Sequence, residues 1–271
     1  MKSVRIRCFS DAFLNLLFPR ACPLCGRILS LPAGWTRDLS VRTYHGTPSP
    51  DELHRFRSIL LCEECQSKIT YVSDPKCRIC SRPMEPGEGF LCDQCIKKEH
   101  SFDQGAALLI HDDFTKKILY DLKFRNMRDN ADWVGFEMAL YSAKQICRWQ
   151  PQVLLPVPLH KKRKRERGFN QAELIAESCS FWLEKLFGLR LPVDADYLQR
   201  MIHTRPQRTL QSAQRSENVR SAFAVSKRTP YRRVALVDDI FTSGSTLDAC
   251  SQTLRAAGTK QIFFLSASIV S

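Results

Sequence analysis

Long apolar runs are missing from this 271-residue chain. The apolar stretch that follows Lys2, Arg5 and Arg7 contains Asp11 and is too short and too interrupted for a secretory signal or a membrane span. The expectation is a cytoplasmic protein with no membrane span, in which Ser10 caps a short amphipathic helix over 11–17 that packs on a domain through Phe13, Leu14 and Leu17. Acidic charge is also scarce, with 28 Asp and Glu against 41 Lys and Arg and a formal net charge of +13. The imbalance is local. Lys161 to Arg167 holds six bases against Glu166, Arg200 to Arg233 holds nine against Glu217, and the remainder is formally neutral. Positive charge gathered in this way implies a polyanionic ligand, either a pyrophosphate or a nucleic acid, although each run alone could be a solvated basic face. The length allows one or two domains, and 44% apolar residues suffice for a core.

Histidine is absent from the turns where the cysteines gather. Eight of the twelve cysteines form four Cys-x2-Cys pairs: Cys22/Cys25, Cys62/Cys65, Cys77/Cys80 and Cys92/Cys95. A two-residue gap lets both thiolates of a tight knuckle reach one zinc, and two knuckles complete a tetrahedron, so eight ligands make two structural zinc sites. A redox role for the pairs or buried reduced thiols are the other readings, and disulfides do not suit a cytoplasmic chain. Sequential pairing gives a double zinc ribbon and interleaved pairing a cross-braced module; the ribbon is preferred. The interval from Leu29 to Leu61, with Pro32, Gly34, Gly46, Pro48 and Pro50, reads as a long loop or insertion, and His45 and His54 within it read as solvent-facing. Cys8, Cys147, Cys179 and Cys250 have no partner at ligand spacing and are expected to be buried or inert.

After Cys95 the pattern alternates. Strands are expected at 106–110, 153–155, 234–237 and 262–265, and helices at 114–122, 133–149, 170–186 (ended by Gly188) and 247–257 (closed by Gly258). Such alternation argues for an α/β fold with a mainly parallel sheet and flanking helices. The expected division is residues 1–98 for the zinc-ribbon module with its helix and insertion, and 99–271 for the α/β domain.

The run from Val234 to Thr246 carries the most chemistry. Val234 to Val237 is uniformly apolar, as in a parallel strand covered on both faces, and Asp238 and Asp239 are expected at its carboxyl end, where open α/β sheets bind ligands. Thr242, Ser243, Gly244, Ser245 and Thr246 then offer hydroxyls and backbone donors to an anion, at the start of the next helix. Two carboxylates repel phosphate, so the acids suit ribose hydroxyls or a divalent cation instead.

Two further segments fit a polyanion. Pro156-Val157-Pro158-Leu159 leads into a basic loop at Lys161, Lys162, Arg163, Lys164, Arg165 and Arg167, with Gly168 giving the turn its freedom and Asn170 capping the following helix. Backbone N–H groups near Leu159 and His160, helped by those charges, could bind a diphosphate; the same bases could equally take nucleic-acid phosphates. Arg200 to Leu210, with Arg215 and Asn218, reads as a mobile loop, where Arg205, Arg208 and Arg215 could neutralise a leaving pyrophosphate. An exposed helix and linker is the plainer reading of that segment.

A hydrophobic strand, two acids, two apolar residues and a Thr/Ser-Gly loop resemble the phosphoribosyl pyrophosphate signature of the type I phosphoribosyltransferases. The resemblance implies that Asp238 and Asp239 face the ribose 2′ and 3′ hydroxyls, that 242–246 hold the 5′-phosphate, and that magnesium accompanies the sugar diphosphate. It also implies that the loop bearing Arg205 closes over the substrate. Together with the cysteine knuckles, Val157-Pro158-Leu159, Arg167-Gly168-Phe169-Asn170-Gln171, Arg200 with Thr204, Gln207, Arg215 and Asn218, and Val237-Asp238-Asp239 with Gly244 resemble the ComF family of phosphoribosyltransferase homologues. That resemblance runs from about Cys22 to the C-terminus and implies handling of incoming single-stranded DNA in natural transformation, alongside an uptake helicase or translocation machinery, or a less defined role in non-competent relatives. Lys123-Phe124 fits the family as well. Lys123 could bind a phosphate or base, with a snorkelling helix lysine as the simpler reading. No glutaminase segment is present to supply ammonia, and the acceptor nucleophile is not legible.

Overall fold

The computed structural model describes residues 21–29, 49–201, 222–226 and 231–270. The expected helix at 11–17, His45, Cys8 and the loop residues Thr204, Arg205, Gln207, Arg208, Arg215 and Asn218 lie outside these ranges.

Four parallel strands form the centre: β1 (Gln104–Ile110), β2 (Leu154–Pro156), β5 (Arg233–Phe241) and β6 (Gln261–Ile269), in the order β1-β6-β5-β2. A separate antiparallel pair joins β3 (Leu198–Arg200) to β4 (Phe223–Val225), the strands on either side of the basic segment 202–221. The helices are α1 (Pro50–Leu60), α2 (Glu63–Gln66), α3 (Asp93–Lys97), α4 (Asp113–Phe124), α5 (Asp129–Trp149), α6 (Lys161–Arg167), α7 (Gln171–Phe187) and α8 (Ser245–Ala256).

β5 shows why the sheet is covered on both sides. Ala235 and Val237 join a core with α1, α5 and α7, while Val234 and Leu236 join a second core with α8 and the side chains of β4. That alternation needs apolar residues at every position, which the sequence supplies. The first core contains Phe56 of α1 edge-on to Trp182 of α7, with ring centroids 5.2 Å apart, and Phe136 of α5 against the same Trp182 at 5.0 Å. It also contains Cys22, Cys62 and Cys65, whereas Cys77, Cys80, Cys92 and Cys95 belong to the second core. The two cysteine groups therefore pack on opposite faces of the sheet.

Four expectations need correction. The interval before Cys62 is not loop throughout, because Pro50–Leu60 is helical: Ser49 and Glu52 close a capping box, Pro50 takes the first turn where its missing N–H costs nothing, and Phe56, Ile59 and Leu60 are buried. Prolines that read as breakers act here as a start signal. The basic stretch Lys161–Arg167 is likewise a helix and not a loop, started by His160, whose Nδ1 accepts from the Lys162 N–H at 3.2 Å, and stopped by Gly168 at φ +81°. Lysine and arginine are good helix formers when water screens their repulsion. The strand expected at 234–237 is longer, running through Asp238 and Asp239 in its carboxyl half, since the ladder to β6 continues through Asp238↔Ser266 and Phe241↔Ile269. Finally, of the cysteines expected to be buried or inert, Cys147 is exposed on the outer side of α5, so burial does not hold for it, while Cys179 and Cys250 are buried.

Candidate functional site

The cysteines form two quartets, each from two consecutive knuckles. The Sγ atoms of Cys22, Cys25, Cys62 and Cys65 lie within 4.8 Å of one another, as do those of Cys77, Cys80, Cys92 and Cys95. The pairs Cys25–Cys62 and Cys80–Cys92 stand 3.6 Å apart and all eight are free thiols. A tetrahedron of about 2.3 Å zinc–sulfur bonds has edges of about 3.8 Å, so the donor sets fit zinc in sequential pairing, as in a ribbon. Cys22, Cys25, Cys62 and Cys65 would hold one ion and Cys77, Cys80, Cys92 and Cys95 the other. Bound there, zinc would cross-link turns too short to hold themselves together.

The carboxyl half of β5 brings the two acids to one end of the sheet. Asp239 is 6% exposed and ion-paired with Lys123, which arrives from the last turn of α4. Lys123 is therefore not a simple snorkelling lysine. Asp238 accepts the backbone N–H of Asp239 at 2.9 Å, and its carboxyl pKa is pushed well up, first by burial and then by the neighbouring Asp239 charge, with Lys123 acting in the opposite sense. Around the acids stand further bases. Burial lowers the pKa of Arg167, with the Asp239 charge opposing, and burial lowers that of Arg200, on which Asp238 acts favourably and Arg163 unfavourably. His111, at the end of β1, bonds through Nδ1 to Ser268 Oγ at 3.0 Å, and burial followed by the charges of Lys116 and Lys123 lowers its pKa. The arrangement is a pair of acids among basic side chains, with Asp239 buried and Asp238 half-buried.

β5 then delivers the hydroxyl loop. Thr242, Ser243 and Ser245 are exposed, Thr246 is half-buried, and the Ser243 and Ser245 hydroxyls are 2.8 Å apart. Gly244 sits at φ +73° as the cap of α8, and a Cβ there would come 3.0 Å from His100 Cε1 and 3.1 Å from Phe241 Cζ. Both the backbone angle and the close approach demand glycine. β2 pairs with β5, so Leu159 and His160, four or five residues beyond Leu155, emerge beside the acids. Asn170 fixes that connection: its Oδ1 accepts from the Ala172 N–H at 3.1 Å and its Nδ2 donates to the Val157 carbonyl at 3.0 Å. Every side chain of α6 remains unburied.

No protein-family model matches the chain. Competence protein F of Haemophilus influenzae is 34% identical over 212 residues, which span 74% of this chain and 87% of that protein. The chain belongs to the ComF family. Competence protein ComFC of Bacillus subtilis is 25% identical over 217 residues, 73% of this chain and 79% of its own length. DNA utilization protein YhgH of Escherichia coli K12 is 24% identical over 201 residues, 73% of this chain and 85% of its own.

Of the residues expected to form the site in this ComF chain, Asp238, Asp239, 242–246, Leu159, His160 and Lys123 gather at the carboxyl ends of β5 and β2, and α6 lies next to them; Arg205 is outside the described residues. What spacing did not reveal is the support behind the hydroxyl loop. Arg82, in the turn after Cys80, donates to the Thr242 carbonyl at 2.9 Å, to Gln94 Oε1 at 3.0 Å and to the Val270 carbonyl. Asp248, in the first turn of α8, is held by Lys98, by the Ser101 N–H at 3.0 Å and by His100 Nδ1 at 3.0 and 3.1 Å. Burial raises the Asp248 pKa, but these partners outweigh it and leave the carboxyl below its ordinary range. No helix among the described residues is long and apolar enough to cross a membrane.

Proposed function

We propose that the chain has a type I phosphoribosyltransferase-like fold that binds phosphoribosyl pyrophosphate with magnesium, and that it serves DNA uptake in the cytoplasm by handling single-stranded DNA. The observation that carries the sugar-phosphate reading is the continuity of β5: two acids at a sheet end, then an exposed hydroxyl loop whose glycine caps a 12-residue helix. Asp238 and Asp239 would accept from ribose 2′ and 3′ hydroxyls, and the backbone N–H groups and hydroxyls of 242–246 would hold the 5′-phosphate. N–H groups near Leu159 and His160, with Arg167 and Arg200, would face the diphosphate, and Arg205 would join them on loop closure. Catalysis would consist of displacing pyrophosphate from C1 by a nitrogen nucleophile, through positioning and charge neutralisation by these side chains. Magnesium would arrive with the substrate, and the raised pKa of Asp238 means that a cation there competes with a proton.

The DNA reading draws on the names of the competence and DNA utilization relatives and on α6, whose basic side chains are solvated. It admits a second form, a non-catalytic single-stranded DNA module, favoured by one observation: the Lys123 ion pair already occupies Asp239. The division at residues 1–98 and 99–271 and two structural zinc ions complete the proposal, with an uptake helicase or translocation machinery as partner.

Calorimetry of the zinc-loaded chain with phosphoribosyl pyrophosphate and magnesium, repeated with a single-stranded oligonucleotide, separates the two forms. Heat with the sugar diphosphate that disappears in Asp238→Asn/Asp239→Asn protein supports the phosphoribosyl site. No heat at millimolar ligand removes it, and DNA binding alone would then leave the module.

A further inference from the structure

Among the described residues, aromatic side chains left in water are few, and two of them share one face of α4. Tyr120 is 53% exposed and Phe124 62% exposed, their ring centroids 4.9 Å apart and tilted by 43°. They are one helical turn apart, so their rings lie along a single stripe. A pair of this size exposed to solvent forgoes the burial that would favour it and calls for an occupant.

The surroundings identify the occupant by charge. Arg125 lies over the Tyr120 ring at 5.9 Å, and Arg167, the last residue of α6, lies over the Phe124 ring at 5.2 Å. Arg128 lies over Phe169 at 4.9 Å, just beyond α6. Arg125 is partly balanced by Asp121 at 3.4 Å and Lys164 by Glu173 at 2.8 Å, but α6 as a whole keeps six bases against one acid. Arg125 and Arg128 also line a cleft of about 760 Å³ between the first knuckle and the turn after α4, together with Lys117, Asp121 and Asp129. An apolar protein partner would meet this ring of cations at a desolvation cost. A strand of unpaired bases meets it with phosphates for the cations and π-faces for the rings.

We infer that Tyr120 and Phe124 form a base-stacking platform for single-stranded nucleic acid, with Arg125, Arg128, Arg167 and the bases of α6 tracking its backbone. The inference rests on the DNA-handling reading above and deepens it by naming the surface and its mode of contact. Base stacking on aromatic rings is sequence-tolerant because every base has a π-face, whereas the cations read only phosphate.

The test uses the full zinc-loaded chain, fluorescence anisotropy, a labelled oligothymidine and an abasic strand of the same length. Phe124→Ala and Tyr120→Ala should each weaken oligothymidine binding about ten-fold, leave the abasic strand unaffected and leave the salt dependence unchanged, because no phosphate contact is lost. Phe124→Trp should keep wild-type affinity, and thermal midpoints should stay near wild type because both side chains are mostly solvated. Equal losses on both strands, or no loss on oligothymidine, would overturn the platform while leaving DNA binding intact. Wild-type protein that binds neither strand would remove the DNA reading along with it.

Discussion

Truncating Lys123 to alanine is the sharpest probe of the acid pair. Its side chain is 17% exposed and its ammonium faces Asp239, whose side chain is 8% exposed, while Asp238 stands next in the chain. Removing one partner of a buried ion pair costs about 3–5 kcal/mol, because the remaining charge is stranded. The lower end applies here, since the charge of Arg167 still reaches Asp239. A loss of about 3 kcal/mol lowers the melting midpoint of a chain this size by roughly 6–12 °C. Asp239→Asn should cost only about 1 kcal/mol, since it strands a flexible lysine that can reach water and relieves the repulsion on Asp238. The double variant Lys123→Ala/Asp239→Asn should resemble Asp239→Asn alone, a coupling of about 3 kcal/mol in the double-mutant cycle.

The pH dependence gives the same argument a sign. Asp238 already has a folded pKa above its unfolded value of about 3.9. A carboxyl raised on folding makes the native state bind more protons, so its contribution to stability is greatest at low pH and falls as pH rises through the folded pKa. Loss of Lys123 removes the charge that opposes this rise at Asp238. The deficit of Lys123→Ala should therefore be full at neutral pH and shrink as pH falls towards that unfolded value. Urea unfolding at several pH values measures it. A Lys123→Ala deficit below about 1 kcal/mol at pH 7, or one that does not change with pH, would refute the reasoning.

Metal analysis of protein prepared reduced and without chelator should return about two zinc ions per chain, and a value near zero would remove the ribbon reading. Cys22→Ser should cut that content by about half, because it touches one quartet only. Replacing Lys161, Lys162, Arg163 and Lys164 together by glutamine should flatten the plot of log affinity for single-stranded DNA against log salt by about 0.7 per lost contact; an unchanged slope places the nucleic acid elsewhere.

The parts legible in the sequence are those whose signal is local. Cys-x2-Cys spacing announces a knuckle within four residues, and Val234 to Thr246 lays a strand, two acids and a hydroxyl loop end to end. Ambiguity entered where one residue type carries two meanings. Pro50 reads as a breaker but occupies the first turn of α1, and the like charges of α6 read as loop although their side chains are good helix formers. Illegible altogether were contacts between distant segments. Asp239 meets Lys123, and Asp248 meets His100, across more than a hundred residues of chain, and neither pairing leaves a trace in periodicity. Cys147 shows the converse, an apolar residue type on an outward helix face, where no spacing rule applies.

The second cysteine quartet bears on the hydroxyl loop through geometry and not through proximity in sequence. Arg82 sits directly after the third knuckle and its guanidinium joins the loop carbonyl of Thr242 to the end of β6 and to Gln94 between the ligands of the fourth knuckle. His100 and Lys98 follow the fourth knuckle by a few residues and hold Asp248, with His100 packed close to Gly244. A loop that must offer backbone N–H groups to an anion gains affinity when its conformation is fixed beforehand, since no ordering is left for the ligand to impose. Here the fixing groups come from turns that contain too few apolar residues to hold their own shape. Cross-linking of Cys77, Cys80, Cys92 and Cys95 through one ion would stiffen those turns, and the second quartet would then brace the hydroxyl loop across about 160 residues of sequence.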